Sequence, residues 1–180
     1  MSKKVLVIST SPRKGGNSDT LADAFVQGAQ EAGNDVEKVT LYDKTIGFCR
    51  GCLTCQSTQR CVIHDDADTI ARQMLTADVV AFATPIYYYG MCGQMKTLLD
   101  RSNPLFPSDY AFRDIYLLAT AADSAESSMD GAVKGLEGWI ACFEKAALRG
   151  VVRGTGADGA GTILQVPAAL KSAFELGNKA

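Results

Sequence analysis

Lys4-Val5-Leu6-Val7-Ile8-Ser9 runs directly into Thr10-Ser11-Pro12-Arg13-Lys14-Gly15-Gly16-Asn17-Ser18, and the reading of this junction decides the fold. The first six residues are apolar without alternation and rich in β-branched side chains, as a central parallel strand covered on both faces requires. Beyond the junction, Leu21, Ala22, Phe25, Ala29 and Ala32 recur at helical spacing. Asn17 or Ser18 is placed to cap that helix and Gly33 to end it.

The same alternation continues downstream. Residues 36–41 read as a second strand, and residues 42–64 as a long loop with no periodicity, two glycines and four cysteines. Asp65 or Asp66 opens a helix to about Thr76 with Ile70, Met74 and Leu75 facing inward. A third strand over 79–84 leads into a loop at 85–90 and a helix at 94–101, followed by an exposed connection around Asn103, Pro104, Pro107 and Ser108. Residues 113–121 form the fourth strand, 128–148 a long amphipathic helix, 150–155 the fifth strand and 168–176 the last helix. The pattern predicts an α/β sandwich of three layers, with a parallel sheet, right-handed crossovers and helices on both faces. It is one domain over residues 1–180, with ligands expected in the loops after strands one, three and four.

Composition narrows the function. Of 180 residues, 47% are hydrophobic and 21% charged, which suits one packed core and excludes a disordered or fibrous chain. Eighteen basic against twenty acidic side chains leave a net charge of −2, so there is no cationic field for nucleic acid or an anionic membrane. The apolar run at 79–83 is far shorter than the roughly 20 residues that span a bilayer. Met-Ser-Lys-Lys followed by a short apolar run is too brief for a signal-peptide core, so the expected location is cytoplasmic. Six cysteines in a reducing compartment point to chemistry, four of them between Cys49 and Cys61.

Two loops and one cysteine group could carry that chemistry. The loop at 9–18 offers hydroxyls, an arginine fork, a side-chain amide and helix-start N–H groups to an anion such as phosphate; the competing reading is a capped polar turn. Neither a P-loop nor a dinucleotide fingerprint is present there. The loop at 84–93 carries Tyr87, Tyr88 and Tyr89 in a row, flat rings with polar tips that suit a planar heteroaromatic ligand. Pro85 stiffens it, and Gly90 and Gly93 let backbone amides approach; alternatively the rings seal an oligomer contact. Gly154 to Gly159 spells the dinucleotide glycine pattern, but too little sequence follows to complete a βαβ unit. His64, the one histidine, reads as a loop or cap residue, and Cys142 as a small buried hydrophobe on a helix stripe.

Taken together, Ser11-Pro12-Arg13 with Gly16-Asn17-Ser18, the cysteine loop leading into Asp65-Asp66, and Thr84-Pro85-Ile86-Tyr87 with Gln94-Met95-Lys96 resemble the flavodoxin-like NAD(P)H-dependent FMN reductases and the related iron-sulfur flavoproteins. The resemblance implies a flavodoxin-like strand order 2-1-3-4-5 and bound FMN. Its phosphate would lie on Ser11, Arg13, Gly16, Asn17 and Ser18, and its ring against Pro85, Ile86, Tyr87, Tyr88 and Gly90, with Thr120 in a third flavin loop. It also implies a homodimer or homotetramer. Cys49, Cys52, Cys55 and Cys61 are separated by two, two and five residues, and the first three match the close spacing of ferredoxin-type ligands. A [4Fe–4S] cluster, a zinc ion and free or disulfide-forming thiols all remain open for them.

The expected activity is hydride transfer from NAD(P)H to FMN and onward to a quinone, a nitro or azo compound, a flavin or a protein acceptor. No acid/base side chain is demanded of the protein. An electron carrier that uses a cluster on the cysteine loop is the competing function, and a zinc-stabilised binding module is the third.

Overall fold

The computed structural model describes residues 2–180. Among these, β1 (Lys4–Ser9), α1 (Asn17–Glu31), β2 (Asp35–Thr40), α2 (Thr54–Thr58), α3 (Asp66–Thr76), β3 (Val79–Tyr87), β4 (Gly90–Met91) and α4 (Gly93–Arg101) follow in order. Then come β5 (Asp114–Thr120), α5 (Asp130–Ile140), β6 (Ala147–Gly154) and α6 (Pro167–Asn178). The long strands are parallel and lie in the order β2-β1-β3-β5-β6, which is the expected order 2-1-3-4-5 of a flavodoxin-like sheet. The two-residue β4 was not foreseen; it pairs antiparallel with the end of β3.

Burial explains why β1 lacks alternation. Leu6 and Ile8 enter one core with residues of α3, α4 and α5, while Val5 and Val7 enter the other with residues of α1 and α6. Neither face of the strand meets water, so both are apolar. On the second face α1 and α6 touch backbone to backbone: a Cβ added at Gly28 would lie 2.0 Å from the Phe174 carbonyl oxygen, and one at Gly177 would lie 2.1 Å from that of Phe25. Helix α1 ends as expected at Gly33, which takes φ +83° while its amide and that of Asn34 bond back to Gln30 and Ala29.

Several expectations are corrected. The helix expected over 128–148 stops at Ile140, because Ala147 and Leu148 pair with Asp114 and Ile115 as the first residues of β6. Strand pairing at the sheet edge overrides helical spacing there, and Phe143 reaches the core from a turn. Cys142 consequently sits in that turn and is exposed, not buried. Helix α1 is capped by Gly16 without a side-chain bond, not by Asn17 or Ser18. Strand β3 continues through Pro85, Ile86 and Tyr87, where a loop was expected, because β4 folds back to supply it with partners. The cysteine loop contains the short α2. Asp65 is the cap of α3, accepting from the Ala67 amide at 3.1 Å.

Gly28→Ala should destabilise the protein by about 1–3 kcal/mol in urea unfolding, because a methyl against a backbone carbonyl cannot be relieved by a rotamer change. This loss should exceed the gain of about 1 kcal/mol that alanine brings to a helix interior.

Candidate functional site

The sheet register assembles the site. Ser9 pairs beside Ala83, and Pro85 beside Thr120, so the segments leaving β1, β3 and β5 emerge side by side at one edge. The Thr10 amide and hydroxyl both donate to the Ala83 carbonyl at 2.8 Å. Beneath them the buried Cys92 Sγ lies 3.2 Å from both the Thr10 hydroxyl and the Thr10 carbonyl oxygen, and the Cys92 amide donates to Thr84 Oγ1 at 3.2 Å. These contacts lock the 9–18 loop to the 84–93 segment. Sequence reading left Cys92 outside the cysteine group, and nothing in its spacing places it under Thr10.

The loop before α1 is shaped for an anion. The amides of the first helical turn have no intrahelical acceptor and carry the positive end of the helix dipole. Ser18 Oγ is buried there with no partner. Gly16 admits no side chain, since a Cβ would sit 2.6 Å from Ser11 Oγ. Arg13 is exposed at the lip of this loop. Two of the expected ligands are occupied within the protein. Ser11 Oγ closes a turn by donating to the Arg13 carbonyl at 2.8 Å and accepting its amide at 3.1 Å. Asn17 Nδ2 donates to the carbonyls of Ala157 and Gly159, at 3.0 and 2.7 Å, while its Oδ1 accepts from the Ile163 amide at 3.3 Å. The glycine-rich 154–159 stretch thus spends two carbonyls on holding α1 in place. Asp19 Oδ2 accepts the Gly15 amide at 3.0 Å. Burial alone would push the Asp19 carboxyl up, but Lys38, helped by Ser9 and Gly15, holds it below the usual carboxylate range.

The three tyrosines form the tip of a hairpin. Tyr87 pairs with Gly90, and the two central residues, Tyr88 and Tyr89, take φ +49° and +62°. That is the type I′ geometry usually given to Asn-Gly, and each non-glycine residue held there costs about 1–2 kcal/mol. Tyr88 is fully exposed, and Tyr87 and Tyr89 are substantially so. Helix α5 backs the turn at glycines: a Cβ on Gly131 would lie 2.3 Å from the Tyr89 carbonyl oxygen, and one on Gly135 would lie 2.9 Å from Met91 Cε. The i, i+4 spacing of these glycines was the available sequence signal for that contact. Beside the hairpin, a cavity of about 350 Å³ opens at the start of α4, lined by Leu41, Ile46, Phe48, Gly93, Gln94 and Thr97.

Cys49, Cys52, Cys55 and Cys61 all line one small cavity of about 30 Å³. Each sulfur faces a donor. The Gly51 amide reaches Cys49 at 3.4 Å, the Ile63 amide reaches Cys61 at 3.5 Å, and Asn103 Nδ2 reaches Cys55 at 3.1 Å. The hydroxyl and then the amide of Thr54, with a smaller contribution from the Arg50 charge, hold the Cys52 thiol below its usual range. Leu53 and Gln59, at φ +57° and +55°, bracket α2 and turn the chain around the cavity. Among the described residues no three His, Cys, Asp or Glu side chains converge on a point that would hold a single metal ion. The donor chemistry fits a thiolate-bound cluster, whose sulfurs stand farther apart than the roughly 3.8 Å set by a 2.3 Å zinc–sulfur bond. Cys49 and Cys52 are exposed, Cys61 is half-buried and Cys55 is buried. His64 is exposed.

The sheet order, the anion-ready loop and the aromatic hairpin define a flavodoxin-like domain. Its sequence matches the pattern of the NADPH-dependent FMN reductases over residues 3–155, and the chain belongs to that family. A putative NAD(P)H-dependent FMN-containing oxidoreductase of Bacillus subtilis is 32% identical over 181 positions, with 96% of each chain covered. An iron-sulfur flavoprotein of Archaeoglobus fulgidus is 41% identical over 101 residues, 56% of this chain and 46% of that one. This chain thus spans about half the length of the Archaeoglobus protein and of a similar one from Methanocaldococcus jannaschii. Among solved structures, an azoreductase from Bacillus anthracis shares the fold at TM-score 0.74 and 20% identity, covering all of both chains.

Gly131→Ala should displace the tyrosine hairpin and weaken binding of a planar ligand, measured by titration with FMN, and should lower the melting temperature as well. Gly138→Ala, on the same helix with open space around it, should leave that titration unchanged.

Proposed function

We propose that this chain is an FMN-dependent oxidoreductase that takes hydride from NAD(P)H and passes electrons to a quinone, a nitro or azo compound, a flavin or a protein acceptor. The observation that carries this reading is the buried, unpaired Ser18 hydroxyl among the free amides of α1, one loop away from a rigid aromatic hairpin. Phosphate supplies the acceptors that this end of the helix lacks. Ser18, Arg13 and the amides of Asn17 and Ser18 hold it, while Ser11, the Asn17 side chain and Gly16, whose amide donates to the Arg13 carbonyl at 3.2 Å, keep the loop in shape. Pro85, Ile86, Tyr87 and the Gly90 backbone border the ring, with Thr120 alongside Pro85. FMN, when bound, supplies the hydride and single-electron chemistry. The protein orients it, keeps one face open and asks no side chain to move a proton. The fully exposed Tyr88 suits cover by a second copy in a homodimer or homotetramer.

The cysteine cavity supports a second cofactor in the same molecule. Four cysteines on one cavity, three of whose sulfurs accept a hydrogen bond, resemble the environment of metal-bound thiolates, and the relatives called iron-sulfur flavoproteins support a [4Fe–4S] cluster there. With that cluster loaded, the chain acts as an electron carrier between FMN and a protein partner.

An absorption spectrum of anaerobically prepared protein tests both. Flavin bands with rapid NADPH oxidation and no iron support the reductase alone, and an added broad visible shoulder with stoichiometric iron and sulfide supports the carrier. Absence of flavin after incubation with excess FMN rejects the primary reading. Arg13→Ala should weaken FMN binding about tenfold or more, the worth of a charge-assisted bond to phosphate.

A further inference from the structure

The most deeply buried charge in the described structure belongs to the cysteine loop, not to the mouth of the sheet. Arg101 ends α4 with its side chain at 0% exposure. Its two terminal nitrogens grip Asp65 at 2.7 and 2.9 Å and also donate to the carbonyls of Gly47 and Ile63, at 2.7 and 2.9 Å. Those four bonds leave Nε buried with no acceptor. Ile63, whose carbonyl the guanidinium holds, donates its own amide to Cys61 at 3.5 Å, so the buried cation is tied to the residue that bonds this sulfur. Asn103, two residues further along, donates to Cys55. A neutral thiol is a weak acceptor, whereas a metal-bound thiolate carries charge and accepts strongly, so the Asn103 bond and the nearby buried cation gain most when the sulfurs hold metal.

We propose that Arg101, steadied by Asp65, and Asn103 are positioning residues that stabilise the reduced form of an anionic iron-sulfur centre on Cys49, Cys52, Cys55 and Cys61, raising its reduction potential. This rests on the second cofactor proposed above. Taking up one electron makes the centre more negative by one charge, so a nearby cation and hydrogen bonds to sulfur favour the reduced state. Asp65 offsets part of that cation. Helix α4 also links the two sites: its nine residues, about 13 Å long, start at Gly93 beside the tyrosine hairpin and finish at Arg101. The helix C-terminus points negative charge toward the cysteines, and Arg101 in its last turn counters it.

The test is a dye-mediated redox titration of the anaerobic protein, reconstituted with iron and sulfide and reduced by dithionite, for the parent and three variants. Arg101→Gln and Asn103→Leu should shift the midpoint potential to more negative values, while Asp65→Asn, which frees the arginine charge, should shift it to more positive values. Arg101→Gln should also release iron to a chelator faster. Generalised damage cannot produce opposite signs at the two ends of one ion pair. Unshifted potentials, or shifts of one sign in both partners of the pair, overturn the proposal. Where Arg101→Gln fails to fold, Asn103→Leu, which lies outside the ion pair, decides by the same criterion. A parent protein that binds FMN but retains no iron overturns both this inference and the second cofactor. A parent with a full cluster and unmoved variants overturns this inference alone.

Discussion

The pairing of β1 with β3 is the constraint on which the rest of the molecule depends. Parallel strands end at the same edge, so the segments that leave them are neighbours without any contact being evolved for the purpose. Here Thr10 turns that adjacency into a joint, bonding forward to Ala83 while Cys92 fills the space below it. The loop proposed to hold the phosphate and the hairpin that presents flat rings are therefore parts of one rigid edge. Slippage of β1 by one residue would expose Leu6 and Ile8 to the wrong core and undo the joint together with the packing.

The site stores its tension in the hairpin. Two tyrosines occupy backbone conformations that glycine and asparagine adopt at far lower cost, and the rings they carry are left in solvent. Packing gives no reward for that arrangement, because neither ring contributes to either core. What maintains it is the Gly131 face of α5 pressed on the Tyr89 carbonyl and the antiparallel bonds to β4. A strained, exposed aromatic turn at the ligand edge of the sheet is consistent with a ring-binding role and hard to explain by stability.

The cysteine loop is organised by a different force. Its chain is mostly exposed, so apolar burial cannot hold it, and electrostatics takes over: Arg101 draws Asp65 and the Gly47 and Ile63 carbonyls around itself. Burial alone would raise the Asp65 carboxyl and lower the guanidinium, yet the pair keeps both charged, Asp65 below and Arg101 above their ordinary ranges. Asp65 is also the cap of α3, so one carboxylate starts a helix and anchors the loop before it.

Strand identity, helix spacing and the chemical character of the loops were legible in the linear chain, because two-face burial and amphipathic periodicity are local patterns, while the sheet order followed from the family resemblance. Cysteine spacing was equally local, and its four sulfurs do share a cavity. What the chain alone could not reveal were the partners: that Asn17 would serve the 157–163 loop, that Gly131 would support a tyrosine, and that Arg101 would turn to Asp65 and Ile63. The end of α5 was misjudged for the same reason, since Ala147 and Leu148 carry helical spacing until β5 is present to pair with them. Periodicity along the chain is a property of neighbours in sequence; hydrogen bonds and charge pairs between residues 36 to 146 positions apart exist only once the sheet has brought them together.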